Sequence, residues 1–276
     1  MRQIFLVLFL CGSQFMLLAQ EEILTGREQV SSMEKKEQIL KSLFWELQEE
    51  EDDFAKAEIN QEIFENLRET LTDELSFEYP FDSLRNLGKV YSDDYTLRVY
   101  TWNVQRADSS FLFYGFIQRL TGEKMLIPLI QAEKAVINHN QELNVKQWYG
   151  ALYYKIVQIG TKKSPRYLLL GWRKDDIFAV NQKMADVLRF DKEDVIFGDN
   201  IFSTPKGMQW RIMFNYCADV QMSLLYDKTK KRIVFDHLIA IERENGNCFA
   251  TDDAYDSFVK KGNKWLYKSN VDAKNE

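Results

Sequence analysis

Two histidines, His139 and His237, are the residues best suited to proton transfer near neutral pH. His139 lies in a polar stretch that predicts an exposed turn, whereas His237 follows Asp236 at the end of an apolar run. Successive residues of a strand point to opposite faces, so this pattern separates the side chains of Asp236 and His237. The sequence contains no Gly-x-Ser-x-Gly elbow for a nucleophile. We therefore predict no catalytic residue, and no chemical role for His237, Asp236 or Asp252.

Metal and cofactor chemistry lack a sequence signature. Asp252, Asp253 and Asp256 form the densest late acidic cluster, and carboxylates are ligands that calcium prefers, but the spacing is not that of an EF-hand loop. This cluster predicts a solvated turn. His-Glu-x-x-His, Cys-x-x-Cys and the glycine-rich phosphate-binding motifs do not occur. We predict no metal and no cofactor.

Sugar chemistry has only diffuse support. Glycoside hydrolysis needs two carboxylates about 5 Å or about 6.5–9.5 Å apart, and 42 acidic residues do not single out a pair. Tryptophans in apolar runs could stack on sugar rings, although core packing is the expected role; they are Trp102, Trp148, Trp172, Trp210 and Trp265. A secreted hydrolase of glycans or esters, with acidic residues that converge in the fold, is the alternative function.

Cys217 and Cys248 are candidates for a disulfide. They are 31 residues apart, and an oxidising compartment would permit them to pair. The other interpretation is that Cys217, within an apolar run, is a buried thiol. Sequence alone does not supply the Cα separation that pairing requires.

Residues 1–19 have the layout of a cleavable secretory signal. Arg2 precedes an apolar run from Ile4 to Leu10, and Ala19 is the best small residue before a cleavage site at Gln20. Lipid anchoring through Cys11 is an alternative, but the preceding Leu10 is not small. The expected location is therefore periplasmic or extracellular. No other stretch approaches 18 consecutive apolar residues, so no transmembrane span is predicted after removal of the signal.

Composition excludes one class of partner. The chain of 276 residues carries 36 basic and 42 acidic residues, for a formal net charge of −6. A nucleic-acid-binding protein would need a basic surface, so we predict no nucleic-acid partner. The expected partner is a protein or another ligand.

Residues 20–76 are predicted to form a helical arm. Apolar residues recur at helical spacing without an intervening proline from position 28 to 75, and they are Met33, Leu40, Leu43, Leu47, Phe54, Ala57, Phe64, Leu67 and Leu71. The acidic run over residues 49–53 favours a break between two helices, because acids stabilise a helix N-terminus. A single continuous helix is the alternative.

Residues 77–276 are predicted to form an antiparallel β domain. Pro80 ends the helical pattern, and short aromatic and β-branched runs separated by turns follow it. The predicted strands are Leu97–Trp102, Phe111–Gln118, Tyr149–Val157, Tyr167–Trp172, Gln209–Asn215, Val220–Tyr226, Arg232–Ile241 and Lys264–Tyr267. Residues 131–147 suggest a loop with a helical turn, and residues 181–190 fit a short helix or another strand. The expected fold is mainly β, α+β overall, with a meander that forms a sandwich or a strongly curved sheet.

Several segments of this domain resemble uncharacterised exported proteins of Bacteroidetes-type bacteria. The resemblance is carried by Phe77–Leu84, Arg98–Asn103, Tyr114–Gln118 and Ile233–Leu238. It implies an exported bacterial protein and no particular activity. Together with the signal and the strand pattern, it makes an exported binding or structural protein, without catalysis, the leading interpretation.

Overall fold

The computed structural model of the chain describes residues 29–122, 125–133, 139–161, 163–175, 180–242 and 248–272. The expected signal segment, its cleavage site and Cys11 lie outside these residues. Two compact units are present. The first combines the described residues up to Glu50 with Ala57–Arg85, and the second combines Glu51–Lys56 with the described residues from Asn86 onward.

Two helices form the first part of the described chain. Helix α1 covers residues 29–49, and helix α2 covers Asp53–Thr72. The predicted break between two helices is confirmed. The Asp52 carboxylate accepts hydrogen bonds from the backbone N–H groups of Phe54 and Ala55, at 3.0 and 2.9 Å, so an acid of the predicted run caps α2. No helix in the described part of the chain is long and apolar enough to cross a membrane.

The apolar stripe of the helices is only partly as predicted. Leu40, Leu67 and Leu71 are buried, but Phe54 is 72% exposed and Ala57 is also exposed. The buried positions of α2 begin only at Asn60. The predicted stripe is therefore wrong for the first turns of α2: apolar residues recur there at helical spacing, but they are not buried.

The helical unit continues past residue 76, through a 3-10 helix at Glu74–Phe77 to Arg85. The buried carboxylate of Glu37 on α1 holds this segment. It accepts hydrogen bonds from the Tyr79 hydroxyl and the Ser83 backbone N–H, both at 2.7 Å. The chain after Pro80 is thus part of the helical unit although it is not helical.

Sixteen strands follow in the described residues. They are β1 Gly88–Tyr91, β2 Leu97–Gln105, β3 Phe111–Arg119, β4 Leu126–Ile130, β5 Leu143–Asn144, β6 Leu152–Gln158, β7 Arg166–Asp175, β8 Val180–Asp191, β9 Asp194–Phe197, β10 Phe202–Thr204, β11 Gly207–Gln209, β12 Ile212–Tyr216, β13 Leu224–Asp227, β14 Arg232–Ile241, β15 Cys248–Lys261 and β16 Lys264–Lys268.

These strands build three sheets. The first has the order β1-β2-β3-β4, the second β5-β9-β8-β7-β6 with β12 paired to β8, and the third β11-β10-β16-β15-β14-β13. Neighbouring strands are antiparallel except β10 and β16, which are parallel. The prediction of a mainly β fold with an N-terminal helical arm is confirmed.

The second sheet is buried on both faces. On β7, Tyr167 and Leu169 belong to a core shared with the first sheet, whereas Leu168 and Leu170 belong to a core shared with the third sheet. A strand covered on both sides reads as a continuous apolar run, as residues 167–172 do. The β domain is therefore layered, with the second sheet in the middle.

A buried ion pair lies within this middle layer. The side chains of Asp186 on β8 and Arg211 have no exposed surface, and Arg211 Nε lies 3.0 Å from Asp186 Oδ2. The Tyr149 hydroxyl donates to the same oxygen at 2.6 Å, and the Val187 N–H donates to Oδ1 at 2.7 Å. The two Arg211 Nη atoms donate to backbone carbonyls at 2.9 and 3.0 Å. Every polar group of the pair is thus matched, as burial demands.

The structure decides the two segments whose assignment was open. Residues 181–190 form part of strand β8, which was one of the two predictions, and the helical turn predicted within residues 131–147 is the 3-10 helix at Val145–Gln147, next to the short strand β5. Strand β15 is the longest of the described strands, yet no strand was predicted there. Its acidic residues have low β propensity, and pairing with β14 on one side and β16 on the other compensates for that.

Candidate functional site

Strands β14 and β15 continue as a two-stranded ribbon beyond their outer neighbours. We define the ribbon as Leu238–Ile241 paired with Cys248–Thr251. Strand β13 pairs with β14 only as far as Phe235, and β16 pairs with β15 only from Ser257 onward. A register shift at His237 separates the ribbon from the body of the sheet.

Both faces of the ribbon are apolar. Ile239 is 41% exposed and Phe249 is 42% exposed. Because Ile239 pairs with Ala250 and Phe249 pairs with Ala240, strand alternation places Ile239 and Phe249 on opposite faces. The ribbon therefore exposes a large apolar side chain in each direction.

A disulfide attaches the ribbon to the segment that follows β12. Cys217 and Cys248 are bonded, with their Cα atoms 5.2 Å apart. The Cys217 backbone N–H also donates to the Phe249 carbonyl at 2.9 Å. These two bonds hold the start of β15 against Cys217, so the exposed apolar residues belong to a strand that is covalently anchored at one end.

The hydrogen bond at Phe249 also fixes the direction of the ribbon's backbone groups. The Phe249 carbonyl points away from β14, since it accepts from Cys217. In an antiparallel pair the partner of an outward-pointing residue points outward too. The N–H and C=O groups of Ala240, and of Leu238 two residues earlier, therefore face away from β15, and no strand in the described part of the chain pairs with them.

A histidine and a carboxylate meet at the base of the ribbon. His237 Nδ1 lies 2.9 Å from Asp256 Oδ2, and the Tyr267 hydroxyl donates to the same oxygen at 2.5 Å. The Asn270 N–H donates to Asp256 Oδ1 at 3.1 Å. The Asp256 side chain is 4% exposed and that of His237 is 35% exposed. Because a carboxylate only accepts, Nδ1 carries the hydrogen and Nε2 is the second, exchangeable nitrogen.

These contacts raise the pKa values of His237 and Tyr267. The hydrogen bond to Asp256 raises the pKa of His237, and the charges of Asp256 and Asp252 act in the same direction. Burial, followed by the hydrogen bond to Asp256, raises the pKa of the Tyr267 hydroxyl to about 12. His237 is therefore poised to exchange a proton near neutral pH, whereas Tyr267 keeps its proton.

The three aspartates of the acidic cluster have different surroundings. All three lie in β15, so the prediction of a turn is wrong; Asp252 and Asp253 are solvent-exposed as predicted, whereas Asp256 is buried and bonded to His237. A strand places Asp256 on the inner face of the sheet, which spacing along the chain does not reveal. Among the described residues, no group of three His, Cys, Asp or Glu could hold a metal ion.

The separation of Asp236 from His237 follows the predicted alternation. Asp236 Oδ2 accepts from the Ser223 backbone N–H at 2.7 Å instead of contacting the neighbouring imidazole. His139 lies in a turn, as predicted, but it is half-buried instead of exposed, and burial lowers its pKa. Its carbonyl accepts from the Trp210 N–H at 2.8 Å, so the turn is bonded to the segment between β11 and β12.

The predicted core role of tryptophan is confirmed at Trp102, Trp148 and Trp265, which are fully buried. Trp172 and Trp210 are partly buried. Trp45 on α1, which was not among the predicted candidates, is 64% exposed. Helical spacing could have predicted that Trp45 is exposed, since Trp45 lies between the buried positions of the apolar stripe.

The surroundings of the ribbon are acidic. Four exposed carboxylates lie in the described segments that form the ribbon and its base, and they are Asp219, Glu242, Asp252 and Asp253. Residues 217–223, 236–242 and 248–256 contain no lysine or arginine. In these described segments, acidic residues thus border an apolar centre.

Comparisons with known protein families, with characterised proteins and with solved structures find no match for this chain.

Proposed function

We propose that the chain is an exported binding protein, which acts by holding a partner and not by catalysis. The observation that carries this proposal is the ribbon, whose exposed Ile239 and Phe249 stand on a disulfide-anchored base. Exposed apolar groups surrounded by polar residues are characteristic of interaction surfaces. A covalent anchor reduces the entropy lost when such a surface is ordered by a partner.

Two observations support export. The first is the layout of residues 1–19, and the second is the bond between Cys217 and Cys248, because disulfides persist mainly in oxidising compartments. An intact-mass measurement on protein secreted by a native-type host tests this part of the proposal. The expected chain begins near Gln20, and a chain that retains Met1 or begins at a lipid-modified Cys11 contradicts it.

Binding through the ribbon is tested with a random peptide library displayed on phage and selected against the oxidised full chain. Selected peptides are expected to lose binding to Ile239→Ser and Phe249→Ser variants. Leu225→Ser is the matched control, since Leu225 is 61% exposed on β13 of the same sheet but lies outside the ribbon. Peptides that bind all three variants equally, or a library without any selected peptide, contradict the proposal.

A second candidate function is hydrolysis of glycans or esters, and one observation favours it. An imidazole held by a buried carboxylate, as His237 is by Asp256, is the arrangement in which histidine acts as a general base. A screen of glycan, peptide and ester substrates with the parent protein tests this function. Turnover that disappears in a folded His237→Ala variant would establish catalysis and displace the binding proposal.

A further inference from the structure

We infer that the ribbon's partner is an extended, basic segment of another protein, which adds as a strand to the open edge of β14 at Leu238–Ile241. This inference rests on the proposed binding function and names the chemistry of its partner. It depends on three features of the ribbon: the direction of its backbone groups, its apolar faces and its acidic rim.

The backbone of β14 is prepared for another strand. The N–H and C=O groups of Leu238 and Ala240 point away from β15, as the hydrogen bond from Cys217 to the Phe249 carbonyl requires. An exposed edge of this kind pairs readily with another chain, and proteins normally protect it with charges, proline or a bulge. Here the edge carries Leu238, Ile239, Ala240 and Ile241 in succession, with neither a charge nor a proline, and the register shift at His237 lies before this stretch and not within it.

The side chains complete a two-faced surface. A strand added to β14 would place its alternate side chains beside Ile239 on one face and beside Leu238 and Ala240 on the other. Backbone hydrogen bonds would supply affinity, and apolar contacts on the two faces would supply register. An extended segment with apolar residues therefore fits this edge better than a helix does.

The rim determines the charge of the partner. Glu242 directly follows the β14 half of the ribbon, Asp252 and Asp253 directly follow the β15 half, and Asp219 lies close to Cys217 in the chain. All four are exposed, and opposite potentials steer and orient protein partners. Lysine or arginine on the added strand would complement this rim.

The same charge argues against two other occupants. A second copy of this chain would bring its own acidic rim and a net charge of −6 to the contact. An anionic lipid surface would be repelled by the four carboxylates, in contrast to the basic clusters that bind such surfaces. A basic protein segment remains the occupant that the surface favours.

The test uses the oxidised full chain and synthetic peptides of one length that alternate valine with lysine, serine or glutamate. We expect the strength of binding to follow the order lysine, serine, glutamate, and binding of the lysine peptide to weaken with added salt. N-methylation of alternate residues in the lysine peptide should abolish binding, because it removes the edge hydrogen bonds. Equal binding of the lysine and glutamate peptides, or no binding of any peptide, overturns the inference.

Variants of the chain separate strand addition from charge. Ala240→Pro removes an outward N–H that no described strand uses, so the fold should survive while binding weakens roughly threefold to tenfold. Ala240→Val keeps the N–H and is the matched control. Asp252→Asn with Asp253→Asn should weaken binding several-fold, whereas Asp191→Asn with Asp194→Asn, exposed on the turn between β8 and β9, should not. Unchanged binding of a folded Ala240→Pro protein excludes strand addition.

These outcomes are distinguishable from failure of the proposed function. If library peptides depend on Ile239 and Phe249 but are acidic or insensitive to Ala240→Pro, the ribbon binds and only this inference fails. If the protein instead sediments with phosphatidylglycerol vesicles, and Phe249→Ser abolishes sedimentation, the occupant is a membrane and the inference is overturned.

Discussion

Asp186 and Asp256 are two carboxylates with the same kind of partners in different surroundings. Each accepts a hydrogen bond from a tyrosine hydroxyl, at 2.6 and 2.5 Å, and each contacts a basic side chain, Arg211 or His237. The Arg211 side chain has no exposed surface, whereas 35% of the His237 side chain is exposed. The first pair can only stabilise the fold, while the second can exchange protons with water. Two properties make this difference: an arginine keeps its proton at all ordinary pH values whereas a histidine titrates near neutrality, and only the histidine is reached by water.

The largest expected effect is the loss of the buried pair's arginine. Arg211→Leu leaves the Asp186 carboxylate without its counter-charge, which should lower the free energy of unfolding by about 3–5 kcal/mol. His237→Ala should cost clearly less, because water can reach the vacated side of Asp256. Urea unfolding of both variants measures the difference.

A second variant keeps this comparison testable if Arg211→Leu does not fold. Combining Asp186→Leu with Arg211→Leu removes both charges and should be more stable than Arg211→Leu alone. Equal losses for Arg211→Leu and His237→Ala would show that the two pairs are energetically alike.

Removal of the disulfide should affect the ribbon more than the buried second sheet. Cys217→Ser with Cys248→Ser opens a loop of 31 residues and should lower the free energy of unfolding by about 3–4 kcal/mol. Hydrogen exchange should accelerate at Phe249 and Ala250, while amides of β7 stay protected. Uniform acceleration in both regions would show that the disulfide does not act locally.

The two tyrosines offer a smaller and matched comparison. Tyr149→Phe removes a buried hydrogen bond to Asp186 and should cost about 1–3 kcal/mol. Tyr267→Phe removes the equivalent bond to Asp256 and should cost about 0.5–1.5 kcal/mol, because Tyr267 is only partly buried and water can replace its hydroxyl, whereas Tyr149 is fully buried. Thermal unfolding of both variants provides the measurement, and a larger loss for Tyr267→Phe contradicts the comparison.

The smallest expected effect is a difference between the two histidines in titration. The pKa of His237 is raised by Asp256, so its stabilising contribution is full below the unfolded pKa of about 6.5 and is lost as the pH rises through the folded pKa. The pKa of His139 is lowered by burial, so its contribution is present above the unfolded pKa and is lost as the pH falls through the folded pKa. NMR titration should resolve the two, and Asp256→Asn should lower the pKa of His237 alone. Identical titration of both histidines would contradict these contacts.

Local patterns predicted much of the fold. The break between the helices follows from acids that cap α2, and the apolar run over residues 167–172 marks a strand, which proved to be buried on both faces. The sequence did not predict β15, nor the exposure of Phe54 and Ala57. Both depend on which neighbours cover a segment, and chain spacing does not contain that information.

The candidate site shows the same division. The sequence by itself determined that Asp236 and His237 point apart, because side chains alternate along a strand, and it identified Cys217 and Cys248 as possible partners. Only the tertiary structure decided that Asp256 lies beside His237, that the two cysteines are bonded, and that β14 and β15 extend past their neighbours. The physical reason is strand register. Hydrogen bonds between distant segments set which residues face each other, and a shift by one residue would place Asp256 on the other face of the sheet.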